Sequence, residues 1–170
     1  RLIAPRSLLA VALLPLLACA SLRAQTPMEV RIAELSYLDR QYMSQQRARL
    51  EDLTGVNFGR RFNGNKANDL ELLQLLLDRR LVLPDQTLEL QAMGVVMGDL
   101  LAADLDMRWV VYEDQVGRSR ALRYRDTDTF LFPMTMISRR REVGNMTPVT
   151  EIYEKARSIV LTSRPALPFQ

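Results

Sequence analysis

The stretch that decides the fold is RWVVYEDQVGRSRALRY, residues 108–124. Two β-rich segments, 107–113 and 118–125, flank the turn-forming residues DQVG, so the stretch predicts an antiparallel hairpin. A type I turn closed by a glycine bulge would pair Tyr112 with Arg120 and place apolar side chains on both faces. This pattern favours a sheet that is covered by helices on both faces.

Three amphipathic helices are predicted before the hairpin, and the first begins with a capping box, TPME, at 26–29. Apolar spacing places them at 27–54, 66–80 and 86–105. Gly94 and Gly98 lie inside the third helix, where each costs about 1 kcal/mol relative to alanine. We therefore expect a neighbouring backbone to approach this helix closely, and we expect it to be the buried helix.

The chain after the hairpin predicts one more strand and one more helix. The strand is FLFPMTMIS, residues 130–138, in which Pro133 marks a sheet edge or a break. A short helix begins at Thr147-Pro148. The predicted fold class is α+β, with three N-terminal helices, a three-stranded antiparallel meander and a C-terminal helix. We expect residues 25–170 to form a single domain.

The N-terminus has the layout of a secretory signal, because two arginines precede an uninterrupted apolar run, LLAVALLPLLACA, at 8–20. Cleavage after Ala24 would remove residues 1–24 as a signal peptide and would make the protein periplasmic in a bacterium. The alternative is a lipoprotein signal, in which Cys19 is acylated and anchors the protein to the membrane. Apart from the signal peptide or this anchor, we expect no association with the membrane.

The charge balance argues against a nucleic-acid partner. Loss of residues 1–24 takes away three arginines and no acid, so Lys+Arg falls from 23 to 20 and equals Asp+Glu at 20. The basicity of the full chain therefore belongs to the leader, and the remainder has no net charge to attract phosphates.

Residue types exclude most catalytic and metal sites. The chain has no histidine, and its single cysteine is Cys19, which excludes Ser-His-Asp and Cys-His nucleophiles and the common zinc, copper and haem ligand sets. Neither G-x-x-x-x-G-K-[ST] nor G-x-G-x-x-G occurs. The composition favours a non-enzymatic function with no cofactor and no metal.

Three segments, GVVMGDLLAADLDMRWVVYEDQVGRSRALRY, LFPMTMISRRRE and PVTEIYEKA, follow one another in this chain. Together they resemble an exported bacterial family known as domain of unknown function 3806, over about residues 88–157. The matching points are Gly94, Gly98, Trp109, the Asp114 and Gly117 turn, Leu131-Phe132-Pro133 and Arg139-Arg140. The resemblance implies no particular activity, and the segment 26–83 lies outside it.

Arginine and tryptophan around the hairpin favour a binding surface. Guanidinium groups bind carboxylates and phosphates through paired hydrogen bonds, and tryptophan beside arginine is typical of interaction hot spots. The expected binding residues are Trp109, Arg120, Arg123, Arg139 and Arg140. The leading hypothesis is an exported, non-catalytic binding or accessory protein whose partner is another envelope protein. An immunity-like protein that neutralises an envelope toxin is a concrete variant.

A carboxylate-dependent cell-envelope hydrolase is the enzymatic alternative. Glycoside cleavage needs two carboxylates about 5–10 Å apart in one cleft. The candidate residues are Glu113, Asp114, Asp126 and Asp128. The simpler explanation for these residues is structural, because aspartate commonly closes turns and caps helices.

Overall fold

The computed structural model describes residues 29–163, which form five α-helices and a four-stranded antiparallel sheet and confirm the α+β class. The strands are β1 (Arg31–Glu34), β2 (Met107–Asp114), β3 (Gly117–Tyr124) and β4 (Phe130–Leu131). The helices are α1 (Tyr37–Phe58), α2 (Lys66–Asp78), α3 (Thr87–Leu105), α4 (Ser138–Glu142) and α5 (Val149–Thr162). A 3-10 turn, Pro133–Thr135, lies between β4 and α4. None of the helices in this range is long and apolar enough to cross a membrane.

The predicted signal peptide, Cys19 and the first three residues of the predicted capping box lie outside the described residues. The predicted helix at 27–54 is wrong at its start, because the chain first forms β1, which pairs with β2. The capping box is instead Ser36 with Asp39, whose backbone N–H donates to the Ser36 hydroxyl at 3.1 Å. The helix also continues to Phe58 and ends at Gly59, which has a left-handed φ of 62°. Apolar spacing alone did not separate a short strand from the helix that follows it.

The hairpin is present, but its predicted register is wrong by one residue. Asp114 pairs directly with Gly117 across a two-residue turn, so Tyr112 lies opposite Ser119 and not opposite Arg120. The Asp114 carboxylate accepts a hydrogen bond from the Gly117 N–H at 3.2 Å, which supports the tight turn. A shift of one residue moves every side chain of β3 to the opposite face.

The helices pack against one face of the sheet, contrary to the expected sandwich. Residues of this inner face belong to the helical core or pack against it: Met107, Trp109, Leu122, Tyr124 and Leu131. The outer face carries Val110, Tyr112, Ala121 and Phe130, and none of these belongs to that core. Tyr112 contacts the rings of Phe130 and Phe132 edge-on, with centroids at 5.0 and 5.3 Å. The rings of Tyr112, Phe130 and Phe132 therefore pack together on the outer face, where Val110 and Ala121 are also buried.

The third predicted strand, 130–138, is wrong beyond its second residue. Pro133 breaks it by starting the 3-10 turn, which agrees with its missing N–H. The next residues form α4, so the three consecutive arginines lie on a helix. Arg141 is buried, and its guanidinium donates to the Thr147 carbonyl at 3.0 Å, which fixes the loop before α5.

The third helix, α3, is the buried one, as predicted, and its two internal glycines are sites of close approach. A Cβ on Gly94 would lie 2.4 Å from the carbonyl oxygen of Pro133. A Cβ on Gly98 would lie 2.4 Å from the ring of Trp109. Gly94 confirms the expected approach of a backbone, whereas at Gly98 the neighbour is a side chain.

We expect Gly94→Ala to lower the free energy of unfolding by about 1–3 kcal/mol, because backbone atoms at Pro133 cannot yield to the added methyl group. The control is Gly55→Ala inside α1, where no atom lies within 4 Å. This control should stabilise the protein by up to about 1 kcal/mol through helix propensity. Urea unfolding, followed by the fluorescence of Trp109, measures both variants. Equal stability of the two variants would contradict the close packing.

Candidate partner-binding cleft

β3 has an open edge over its first half. β4 pairs with only two residues of β3, and just beyond them the Tyr124 N–H donates to the Thr129 carbonyl at 3.0 Å. Backbone groups alternate in direction along a strand, so those of Leu122, Arg120 and Arg118 face the same side as those of Tyr124. Among the described residues, no strand pairs with β3 before Leu122. We call residues 118–120 the free edge.

A cleft of ≈ 500 Å³ runs along the free edge. On the outer side of the sheet it is lined by the aromatic rings of Tyr112 and Phe132. On the inner side it is lined by Tyr42 of α1 and by Arg120, whose guanidinium lies 4.4 Å from the centre of the Tyr42 ring. The cleft therefore combines aromatic surface with arginine, which is the composition of many protein interaction sites.

The carboxylate of Asp39 holds both arginines of the free edge in place. Arg118 donates to its two oxygens at 3.0 and 2.6 Å, and the Nε of Arg120 donates at 2.9 Å. The Ser36 hydroxyl donates at 2.7 Å. The hydrogen bonds from Arg118, and after them those from Ser36, keep the pKa of Asp39 well below its ordinary value of 3.8, although burial acts to raise it.

The accessible charge of the cleft is positive. Asp39 is 2% exposed and Asp114 is bonded to its own turn, whereas the side chain of Arg118 is 44% exposed. Arg139 projects from α4 at the border of the cleft and is exposed. Its side chain makes no hydrogen bond or ion pair within residues 29–163. The site is therefore suited to carboxylate groups of a partner.

Trp109 does not line this cleft. Its ring packs against Gly98, and its Nε1 donates to Asp99 of α3 at 2.9 Å. Asp99 also accepts a hydrogen bond from the Nε of Arg47 on α1 at 2.6 Å. Trp109 therefore joins the sheet to two helices.

Two of the predicted binding arginines also lie outside the cleft. Arg123 donates to the Thr127 carbonyl at 2.8 Å and lies 5.7 Å from the centre of the Phe130 ring. Arg140 donates to the Met136 carbonyl at 2.6 Å, one helical turn back. Of the five predicted binding residues, the structure brings Arg120 and Arg139 together at the cleft.

Asp39, Tyr42 and Phe132 belong to the site but were not among the residues predicted from the sequence. Asp39 and Tyr42 are three residues apart on α1 and therefore share one face of that helix. The pattern S-x-x-D from Ser36 to Asp39 matches a helix start and could have corrected the boundary. No local signal connects Asp39 with the hairpin.

The four candidate catalytic carboxylates are not brought together. Glu113 and Asp114 lie at the turn of the hairpin, whereas Asp126 and Asp128 follow its opposite end, roughly 25 Å away along an eight-residue strand. Arg108 donates to Asp126 at 2.8 Å and lowers the pKa of that carboxyl. A general acid needs a raised pKa, so this geometry gives the hydrolase no support.

Within residues 29–163, no three His, Cys, Asp or Glu side chains are arranged to hold a metal ion. The buried carboxylate of Asp69 accepts hydrogen bonds from the backbone N–H groups of Asn63 and Gly64 at 3.0 and 2.9 Å. Its function is to fix the loop before α2.

Comparison with known sequences identifies the class of this domain. A family model described as domain of unknown function (DUF3806) matches residues 69–153, which is half of the 170-residue chain. The chain therefore belongs to this family, as its motifs indicate. The match begins within α2, upstream of the resemblance at 88–157, and it includes the hairpin and α4. No curated protein matches the chain.

A crystal structure from Bacteroides thetaiotaomicron VPI-5482, at 1.50 Å resolution, has a similar fold. The TM-score is 0.69 with 17% sequence identity, over 79% of this chain. The chain corresponds to 49% of that protein, or about half of its length. This likeness concerns the fold alone.

We expect Asp39→Asn to lower the free energy of unfolding by about 3 kcal/mol, because it leaves Arg118 and Arg120 without their carboxylate. The control is Asp126→Asn, which removes an exposed ion pair with Arg108 and should leave the unfolding midpoint unchanged. Urea unfolding at pH 7 measures both. If Asp39→Asn and Asp126→Asn changed the free energy of unfolding equally, the buried carboxylate of Asp39 would not be important for stability.

The lowered pKa of Asp39 also predicts a dependence on pH. A depressed pKa in the folded state stabilises the protein above the unfolded-state value near 3.8, and this contribution is lost as the pH falls through the folded-state pKa. The difference in stability between wild type and Asp39→Asn should therefore be full at pH 7 and shrink under strongly acidic conditions. A constant difference down to pH values near 2, measured by unfolding at each pH, would contradict the assignment.

Proposed function

We propose that this protein is an exported, non-catalytic binding or accessory protein, and that its partner binds in the cleft beside the free edge. The observation that carries the proposal is the unpaired edge of β3 in a cleft of ≈ 500 Å³, with the unbonded Arg139 at its border. Open strand edges and arginine beside aromatic rings are both common features of protein recognition sites.

The proposed location is the periplasm, since the apolar run at 8–20 follows arginines as in a secretory signal. The partner is then another envelope protein, and an immunity-like function is the narrower form of the proposal. The separation of Asp114 from Asp126 along the hairpin supports binding over carboxylate-dependent hydrolysis.

Affinity capture from an envelope extract tests the site. The tagged full chain is compared with Arg139→Glu, which reverses the charge of an exposed side chain without breaking a bond to a described residue. We expect recovery of the specific partner to fall at least about tenfold, as for a central charged contact of an interface.

The matched control is Arg61→Glu, in the loop between α1 and α2, which is exposed and is not among the residues that line the cleft. It makes the same charge change and should leave recovery unaffected. Both variants should unfold at the wild-type denaturant concentration. Equal recovery by wild type and Arg139→Glu would remove the cleft as the binding site.

A further inference from the structure

We infer that the cleft takes an extended segment of the partner, which adds antiparallel to the free edge as a fifth strand and alternates acidic with apolar residues. This inference rests on the proposed function, since it specifies how the same cleft binds. It follows from three properties of the site: the direction of its backbone groups, the two chemically different sides of the cleft, and its charge.

The backbone supplies the main attachment. The N–H and C=O groups of Arg118 and Arg120 point away from β2, and β4 ends before it reaches them. Unpaired groups of this kind form a template for another strand. A partner strand that pairs with these two residues gains up to two donors and two acceptors, and it would lie beside the 3-10 turn, which also approaches β3.

The side chains on the two sides of the cleft explain why acidic and apolar residues should alternate in the added strand. Residues directly opposite each other in an antiparallel pair point to the same face of the sheet. Partner residues opposite Arg118 and Arg120 therefore point to the inner side, where the exposed guanidinium of Arg118 lies. The intervening partner residues point to the outer side, toward Tyr112 and Phe132, which is 36% exposed.

The charges select an acidic strand. Three arginines, Arg118, Arg120 and Arg139, line the cleft together with one carboxylate, Asp114. The buried Asp39 bonds Arg118 and Arg120, so these groups together leave one positive charge. A second copy of this chain, paired edge to edge through β3, would bring Arg118 and Arg120 of both copies together. Like charges in opposed positions are destabilising, so the site disfavours self-association and favours glutamate or aspartate.

The probe is a fluorescein-labelled, end-capped octapeptide in which glutamate alternates with valine and phenylalanine, titrated with the full chain and followed by fluorescence anisotropy. We expect saturable binding. Replacing the glutamates with lysines should weaken binding at least about tenfold, because the cations of the cleft then repel the peptide. No saturable binding of the glutamate peptide, or equal binding of the lysine peptide, overturns the inference.

N-methylation of the probe separates strand addition from simple charge attraction. In an antiparallel added strand, the residues opposite Arg118 and Arg120 are the glutamates, and their N–H groups face β3. Methylation of the glutamate amides should weaken binding about tenfold or more through the loss of these hydrogen bonds. Methylation of the valine and phenylalanine amides, which face away from β3, is the matched control and should have little effect.

The results distinguish the inference from the function on which it rests. If affinity capture depends on Arg139 but methylated and unmethylated probes bind equally, the cleft binds a partner in another way, and strand addition is overturned. Sedimentation of the protein without the probe tests whether a second copy of the chain binds at the free edge. A dimer that the glutamate peptide dissociates would assign the free edge to a second copy of the chain and would also overturn the inference.

Discussion

The ion pairs of Asp39 are the constraint on which the site depends. They join the first turn of α1 to an edge of the sheet that lies 79 residues later in the chain. The same carboxylate completes the capping box with Ser36, so one side chain fixes both where the helix begins and where it meets the sheet. Without it, Arg118 and Arg120 would lie next to each other on one face, and only Glu113, opposite Arg118 on β2, would remain to offset their charge.

Pro133 and Gly94 together determine the other side of the cleft. Pro133 ends β4 after two residues and leaves the neighbouring part of β3 unpaired. Gly94 allows the 3-10 turn to pack directly on the backbone of α3. The chain then continues into α4, which brings Arg139 to the border of the cleft. A proline and a glycine in different elements thus shape one side of the cleft.

The sequence predicted those elements whose signals are local. Strong apolar spacing predicted α2 and α3 to within two residues of their observed bounds. The helix predicted to begin at Thr147-Pro148 is α5. The hairpin was predicted, but DQVG is compatible with more than one turn, and a shift of one residue exchanged its faces. The start of α1 was missed, because the partner of β1 lies beyond three helices and no local pattern reveals it.

The same limit applies to the candidate site. Arg120 and Arg139 could be selected, because arginine is chemically distinctive and both lie in or near the hairpin. Asp39 and Tyr42 could not, because they reach the hairpin through tertiary packing and belong to a helix with the wrong predicted start. Trp109 was selected for its residue type, but Gly98 provides the space in which its ring is half-buried.

The pairing of β1 with β2 has a consequence for the order of assembly. β1 leaves the ribosome before α1, α2 and α3, yet it cannot enter the sheet until Glu113 and its neighbours have been synthesised. Closing so long a loop costs conformational entropy, and non-local pairing of this kind slows folding. The nascent chain therefore remains without its complete sheet until most of it has been synthesised.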